Sequence, residues 1–196
     1  MVWQYHGEAI ALEIYHGVPS GWRAQEIVEE HTRLGGSFDL KGPDASEPGA
    51  PSWLPARYDW LQYRETLRRV AEGMVVGDAA CVELAIRFIE LRYIGSYSGF
   101  IRSVLSRRLK HCSLTQAQHE RLHAHFSALV IAEDRCDEFR DYLGLWRRLV
   151  SPEQVQELAS RLKGLSNGEA RAVWLLANLP AGVSVRGKVG SDDNAA

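Results

Sequence analysis

The run Asp78-Ala79-Ala80-Cys81-Val82-Glu83-Leu84-Ala85-Ile86-Arg87-Phe88-Ile89-Glu90-Leu91 decides the fold. An aspartate stands at its head, where a carboxylate can accept the N–H groups that the first helical turn leaves unbonded. Behind it, Cys81, Val82, Leu84, Ala85, Ile86, Phe88, Ile89 and Leu91 occupy most of a helix circumference. A helix with a single apolar stripe packs against one neighbour, whereas this one needs neighbours on several sides. The pattern predicts a central helix from Asp78 to about Tyr93.

Other helices extend from it in both directions. Gly73 to Gly77 predicts a break, preceded by a helix over residues 57–72 with Trp60, Leu61, Leu67 and Val70 apolar. Downstream, Ser96 or Ser98 opens a helix with Phe100, Ile101, Val104, Leu105 and Leu109 inward and Arg102, Arg107, Arg108 and Lys110 mostly on other faces. Thr115 with Gln118 three residues on is a capping box, and the helix it opens carries the core stripe Leu122, Phe126, Leu129 and Val130. Residues 136–150 form the next, with Phe139, Tyr142, Leu143, Trp146 and Leu149 on one side. Ser151-Pro152 is a cap followed by a first-turn proline, opening a helix through Val155, Leu158, Ala159 and Leu162 to Gly164. Ser166 with Glu169 reads as a second capping box, for a last helix with Val173, Trp174 and Ala177 as its inner stripe, ended by Pro180.

Asp78, Thr115 and Ser151 begin alternate helices at intervals of about 37 residues, the scale of helical-repeat units. The stretch Phe100…Arg107-Arg108-Leu109 is echoed by Phe139…Arg147-Arg148-Leu149. The expected architecture is therefore all-α: stacked antiparallel helical hairpins, HEAT-like or an irregular bundle, over residues 57–180. Residues 1–56 are less regular. The aliphatics of Ala9-Ile10-Ala11-Leu12-Glu13-Ile14-Tyr15 alternate, which fits a short strand or a turn or two of helix. Trp22 to Leu34 reads as a helix capped by Ser20 and ended at Gly35-Gly36. Residues 41–55 hold four of the seven prolines and read as a linker, and 181–196, rich in Gly and Asp, as a tail.

The chain has 196 residues, 45% hydrophobic and 24% charged, which excludes a disordered polymer. No run approaches the roughly 20 apolar residues that span a bilayer, and the first residues lack a signal-peptide pattern. A net charge of -2 points away from wholesale nucleic-acid binding. Three cysteines, Cys81, Cys112 and Cys136, are too few and odd in number for a disulfide scaffold. They read as reduced thiols in a cytoplasmic protein.

One motif carries chemistry. His119-Glu120-Arg121-Leu122-His123 matches H-E-x-x-H, in which two imidazoles one turn apart share a zinc ion and the glutamate polarises its water. Against that zinc-hydrolase alternative, Arg121 places a cation beside the would-be metal. No downstream H-x-x-G-x-x-H follows, and the surrounding sequence is helical with no sheet edge to hold a substrate. His119 and His123 then read as a pair flanking a core stripe, and no metal or other cofactor is expected. No G-x-x-x-x-G-K-[ST], G-x-S-x-G or C-x-x-C is present. The remaining candidates are for interaction: the basic cluster Arg102, Arg107, Arg108 and Lys110, and Tyr97 in the small-residue loop Ser96-Tyr97-Ser98-Gly99. A nucleic-acid-binding module on the Arg102 to His111 face is a second alternative.

The segments Ala85-Ile86-Arg87-Phe88-Ile89-Glu90, Ser98-Gly99-Phe100-Ile101-Arg102, Leu105-Ser106-Arg107-Arg108-Leu109-Lys110 and Leu114-Thr115-Gln116-Ala117-Gln118 cover about a third of the chain. They resemble small bacterial helical-repeat proteins, among them HEAT-type adaptors and immunity proteins that neutralise toxins. The resemblance implies a cytoplasmic bacterial protein without catalytic residues that acts by occupying a partner. The expectation is a non-catalytic protein-binding protein, immunity-like or adaptor, whose partner is another protein such as a toxin.

Overall fold

The computed structural model describes residues 17–41, 55–95, 97–134 and 138–179, with the backbone alone for 55–58. Among them are eight α-helices and no strand: α1 (Ala24–Arg33), α2 (Pro55–Val75), α3 (Ala79–Leu91), α4 (Ser98–Leu109), α5 (Gln116–Ile131), α6 (Phe139–Leu149), α7 (Pro152–Lys163) and α8 (Gly168–Asn178). The strand or helical turns expected at 9–15, most of the 41–55 linker, Cys136 and the tail 181–196 lie outside the described residues. The chain separates into two compact units, one ending at Leu149 and the other beginning at Val150, a division that the sequence reading does not draw.

In the first unit α3 packs against α1, α2, α4 and α5. Eight of its residues are buried, Phe88, Ile86 and Ile89 among the most enclosed, each contributing about 1.5–3 kcal/mol in transfer free energy. Its start is the expected one: Asp78 accepts the Cys81 N–H at 2.8 Å. Around this centre α2 packs on α1 and α4, α4 on α6, and α6 on α5. The Thr115–Gln118 capping box is present, and the α5 stripe Leu122, Phe126, Leu129 and Val130 is buried as expected.

Three expectations are corrected. Gly73 does not end α2, which continues to Val75. A Cβ at Gly73 would sit 2.4 Å from the Cys81 sulfur, so glycine is there to let α2 and α3 approach. The stop comes at Gly77, whose φ of +85° is the left-handed conformation that closes helices. In α4 the inward face holds Ile101, Leu105 and Leu109, but Phe100 is 58% exposed and Arg102 is 5% exposed, the reverse of the amphipathic expectation. The α1 cap is also different. The Arg23 N–H is accepted by Glu26 at 2.7 Å, and Ser20 has no part in it.

In the second unit α7 and α8 form a hairpin. Ser151 caps α7 with Gln154 as a capping box, and Val155, Leu158, Ala159 and Leu162 are buried as read from sequence. The α8 inner face differs from the one expected: Ala172 and Leu175 are buried, with Leu179 just past the helix, while Val173 is 65% exposed and Ala177 is exposed. Ser166 is not its cap. Asn167 takes that place at φ +56°. A Cβ at Gly168 would lie 1.7 Å from the Leu162 carbonyl oxygen, so glycine is needed where the chain turns from α7 into α8.

Candidate interaction surface

Within the H-E-x-x-H stretch, His123 and Arg121 tie α5 to neighbouring helices, while His119 is half-buried on α5. Nδ1 of His123 accepts the indole N–H of Trp146 from α6 at 3.0 Å. A neutral imidazole that accepts at Nδ1 carries its proton on Nε2, so neither nitrogen offers a free lone pair for ligation. Arg121 reaches from α5 to α3, donating to Glu90 at 3.0 and 2.5 Å and to Glu83 at 2.8 Å. Those bonds raise its pKa, Glu90 contributing most. Glu120 is exposed and accepts from Gln116 at 2.9 Å.

Among the described residues, the group of potential metal ligands is a different one: His31, Asp78 and Cys81, all buried. Sequence reading saw Asp78 only as a cap. Its Oδ1 accepts from His31 Nε2 at 3.1 Å as well as from Cys81, and its Oδ2 accepts the Ser37 and Phe38 N–H groups at 2.7 and 2.9 Å. Burial would raise this carboxyl, but the three N–H groups, with His31 beside it, hold it well below the usual carboxylate range. Both oxygens are thus saturated. Burial pushes the Cys81 thiol far up, with the negative charge of Asp78 adding to it, so it stays protonated and unreactive. The arrangement clasps α1 and the chain after it to the head of α3.

The basic cluster divides into separate duties. Arg102 is buried against Glu138, which also accepts from the Tyr142 hydroxyl at 3.3 Å, and a second nitrogen of Arg102 donates to the Tyr93 carbonyl. Arg107 pairs with Asp141 of α6 at 2.9 Å. Arg108 donates to the Ala71 carbonyl near the end of α2. Lys110 lies close to Gly144, where a Cβ would meet its Nζ at 2.5 Å. The structure directs these side chains to different neighbours: Arg108 to α2, Arg107 and Lys110 to α6, and Arg102 to Glu138 and the α3–α4 connection.

Tyr97 belongs to a different assembly. It precedes α4 at φ +73°, a conformation that costs a bulky residue roughly 1–3 kcal/mol. That backbone aims its ring at α2, 6.4 Å from the Trp60 ring and 5.1 Å from Phe100. The Arg64 guanidinium lies over both Trp60 and Tyr97, 5.1 and 5.6 Å from their centroids. Three residues before Tyr97, Ile94 is 91% exposed. Leu91 and Phe100 are exposed as well, and the Phe100 ring meets the Tyr97 side of the aromatic and guanidinium group. Sequence reading named Tyr97 and missed Ile94. Its one local signal was an isoleucine next to Gly95, outside any helical stripe.

Comparison with protein-family models, with curated proteins and with solved structures found no match to this chain.

Proposed function

We propose that this is a non-catalytic protein-binding protein, of the immunity or adaptor kind, which occupies a partner protein through the α3–α4 corner. The observation that carries the reading is the corner itself: Ile94 almost fully exposed, and Phe100 more than half exposed with its ring against Tyr97, which Trp60 and Arg64 hold. Aromatic residues and arginine dominate the energetic centres of protein interfaces, and a rigid base lowers the entropy lost on binding. Arg102 holds the connection from beneath through the Tyr93 carbonyl, so the corner is built in advance of any partner.

A stacked-hairpin architecture, the finer form of the all-α fold, is part of this reading. It is supported by the contacts of α1 with α3, α2 with α4, α3 with α5 and α4 with α6, each helix meeting the next but one. A cytoplasmic setting fits Cys81 and Cys112, both free thiols. It also fits the absence, among the described residues, of any helix long and apolar enough to cross a membrane.

The test is affinity purification of the full chain from its native host across growth states, with recovered proteins quantified. A stoichiometric protein partner is expected, and its absence in every growth state would overturn the reading. Metal analysis addresses the hydrolase alternative. About one zinc per chain, lost on His119→Ala/His123→Ala, would displace the proposal.

A further inference from the structure

An open cleft of about 690 Å³ lies between α1 and α3. Its apolar lining includes Trp22, Leu84 and Leu91, and Trp22 is fixed there edge-on against core Phe88, ring centroids 5.0 Å apart. The volume falls within the usual range of ligand sites. The charges around it are unequal. Four glutamates line the cleft against two arginines, and both arginines are already engaged by Glu30. The ion pairs with Arg33 and Arg87, that with Arg33 foremost, outweigh desolvation and hold the Glu30 carboxyl down at about 2, so that charge is satisfied internally.

Glu26 and Glu29 are different. They stand three residues apart on the same side of α1, and each has a neutral partner: Glu26 accepts the Arg23 N–H, Glu29 the Gln25 amide. No ion pair to either occurs among the described residues. The cleft therefore offers an apolar floor with an uncompensated acidic lip on one side.

We infer that this cleft receives a basic amphipathic helix of a partner protein, its apolar stripe on Trp22, Leu84 and Leu91 and its lysine or arginine flank against Glu26 and Glu29. Helix-in-groove recognition works in this way: one apolar stripe supplies the burial, and flanking charges set the orientation. Leu91 also lies three residues before Ile94, so the cleft floor and the exposed corner meet along the chain. The inference rests on the protein-binding reading and names the chemistry of the partner.

The probe is a synthetic, fluorescently labelled Leu/Lys peptide of about 14 residues, four helical turns with one leucine stripe. Its binding to the full chain is followed by anisotropy, beside a Leu/Glu peptide of the same pattern. Saturable one-to-one binding of the Leu/Lys peptide alone is expected. It should weaken about fivefold in Glu29→Lys and about tenfold in Leu91→Asp, both at exposed positions, with circular dichroism confirming the fold. Glu157→Lys, an exposed reversal on α7, should leave the affinity unchanged. Failure to saturate, equal binding of the Leu/Glu peptide, or the same loss in Glu157→Lys would overturn the inference. Ile94→Asp/Phe100→Asp separates this failure from failure of the broader reading. If that variant loses a copurified partner while the wild-type chain ignores the peptide, the cleft inference fails and the corner stands. If the wild-type chain binds the peptide and recovers no partner in any growth state, the broader reading fails.

Discussion

The two ends of α3 invert one another. At its head Asp78 and His31 are polar, buried and paired with each other, and the Asp78 carboxylate also accepts the Ser37, Phe38 and Cys81 backbone N–H groups. At its tail Leu91, Ile94 and Phe100 are apolar and exposed, Phe100 against the Tyr97 ring that Trp60 and Arg64 hold. Buried polarity survives only where its hydrogen bonds are complete, so it reports on folding. Exposed apolar surface on a rigid support contributes little to folding and reports on recognition. One helix thus carries a structural end and a binding end.

Breaking the head should be costly. Asp78→Ala removes the acceptor of the His31, Ser37, Phe38 and Cys81 N–H groups and the α3 cap at once, and about 3–5 kcal/mol of stability should vanish in a denaturant titration. A loss below about 1 kcal/mol, the value of a solvated cap, would mean the clasp is not the anchor described here. The depressed Asp78 carboxyl fixes the sign of the acid response. Its contribution is present above the unfolded value near 3.9 and is lost only as pH falls through the lower folded value. Wild type should therefore be increasingly destabilised relative to its neutral-pH state below about pH 4, a decline that Asp78→Asn shows in smaller measure.

Arg102 connects the two ends' logics, since a buried ion pair supports an exposed surface. Arg102→Leu leaves the Glu138 carboxylate buried and unpaired and should cost about 3–5 kcal/mol, most of it recovered in Arg102→Leu/Glu138→Leu. The double variant still lacks the bond to the Tyr93 carbonyl, so its partner binding should stay weakened although its stability returns. Full recovery of both would remove Arg102 from the description of the corner. A Gly73→Ala change, placing a methyl against Cys81 and Phe38, should cost about 1–3 kcal/mol by overpacking the α2–α3 contact.

His125 gives the smallest effect. Burial lowers its pKa, the nearby Glu90 opposes this, and Arg92 and Arg102 add to the lowering. Its Nε2 is buried without a hydrogen-bond partner among the described residues. The unfolded chain then binds this proton more readily than the folded one, so stability should fall as pH drops through the unfolded value near 6.5 and level off below the folded value. His125→Leu should flatten the pH 5–7 part of the stability profile, read by thermal unfolding.

Much of this fold is written locally. Asp78, Thr115 with Gln118 and Ser151 with Gln154 all cap the helices that sequence assigns to them, and the α5 stripe and, Leu91 apart, the α3 apolar set are buried as read. Errors arise where a distant residue decides. Arg102 turns inward because Glu138 waits 36 residues further on, and Phe100 is then left outside. Gly73 reads as a breaker because nothing local announces the Cys81 sulfur above it. The H-E-x-x-H pattern shows the same limit. Spacing puts His119 and His123 on one helix side, but Trp146 and Glu90, from two other helices, determine what His123 and Arg121 do.

The most direct measurement takes the Ile94→Asp/Phe100→Asp chain through denaturant unfolding and copurification from the native host in parallel with wild type. An unfolding midpoint equivalent to wild type within about 0.5 kcal/mol, together with loss of the stoichiometric partner, is the predicted result. Retention of the partner at wild-type stoichiometry by a folded variant would contradict the assignment of the α3–α4 corner as the binding end of the molecule.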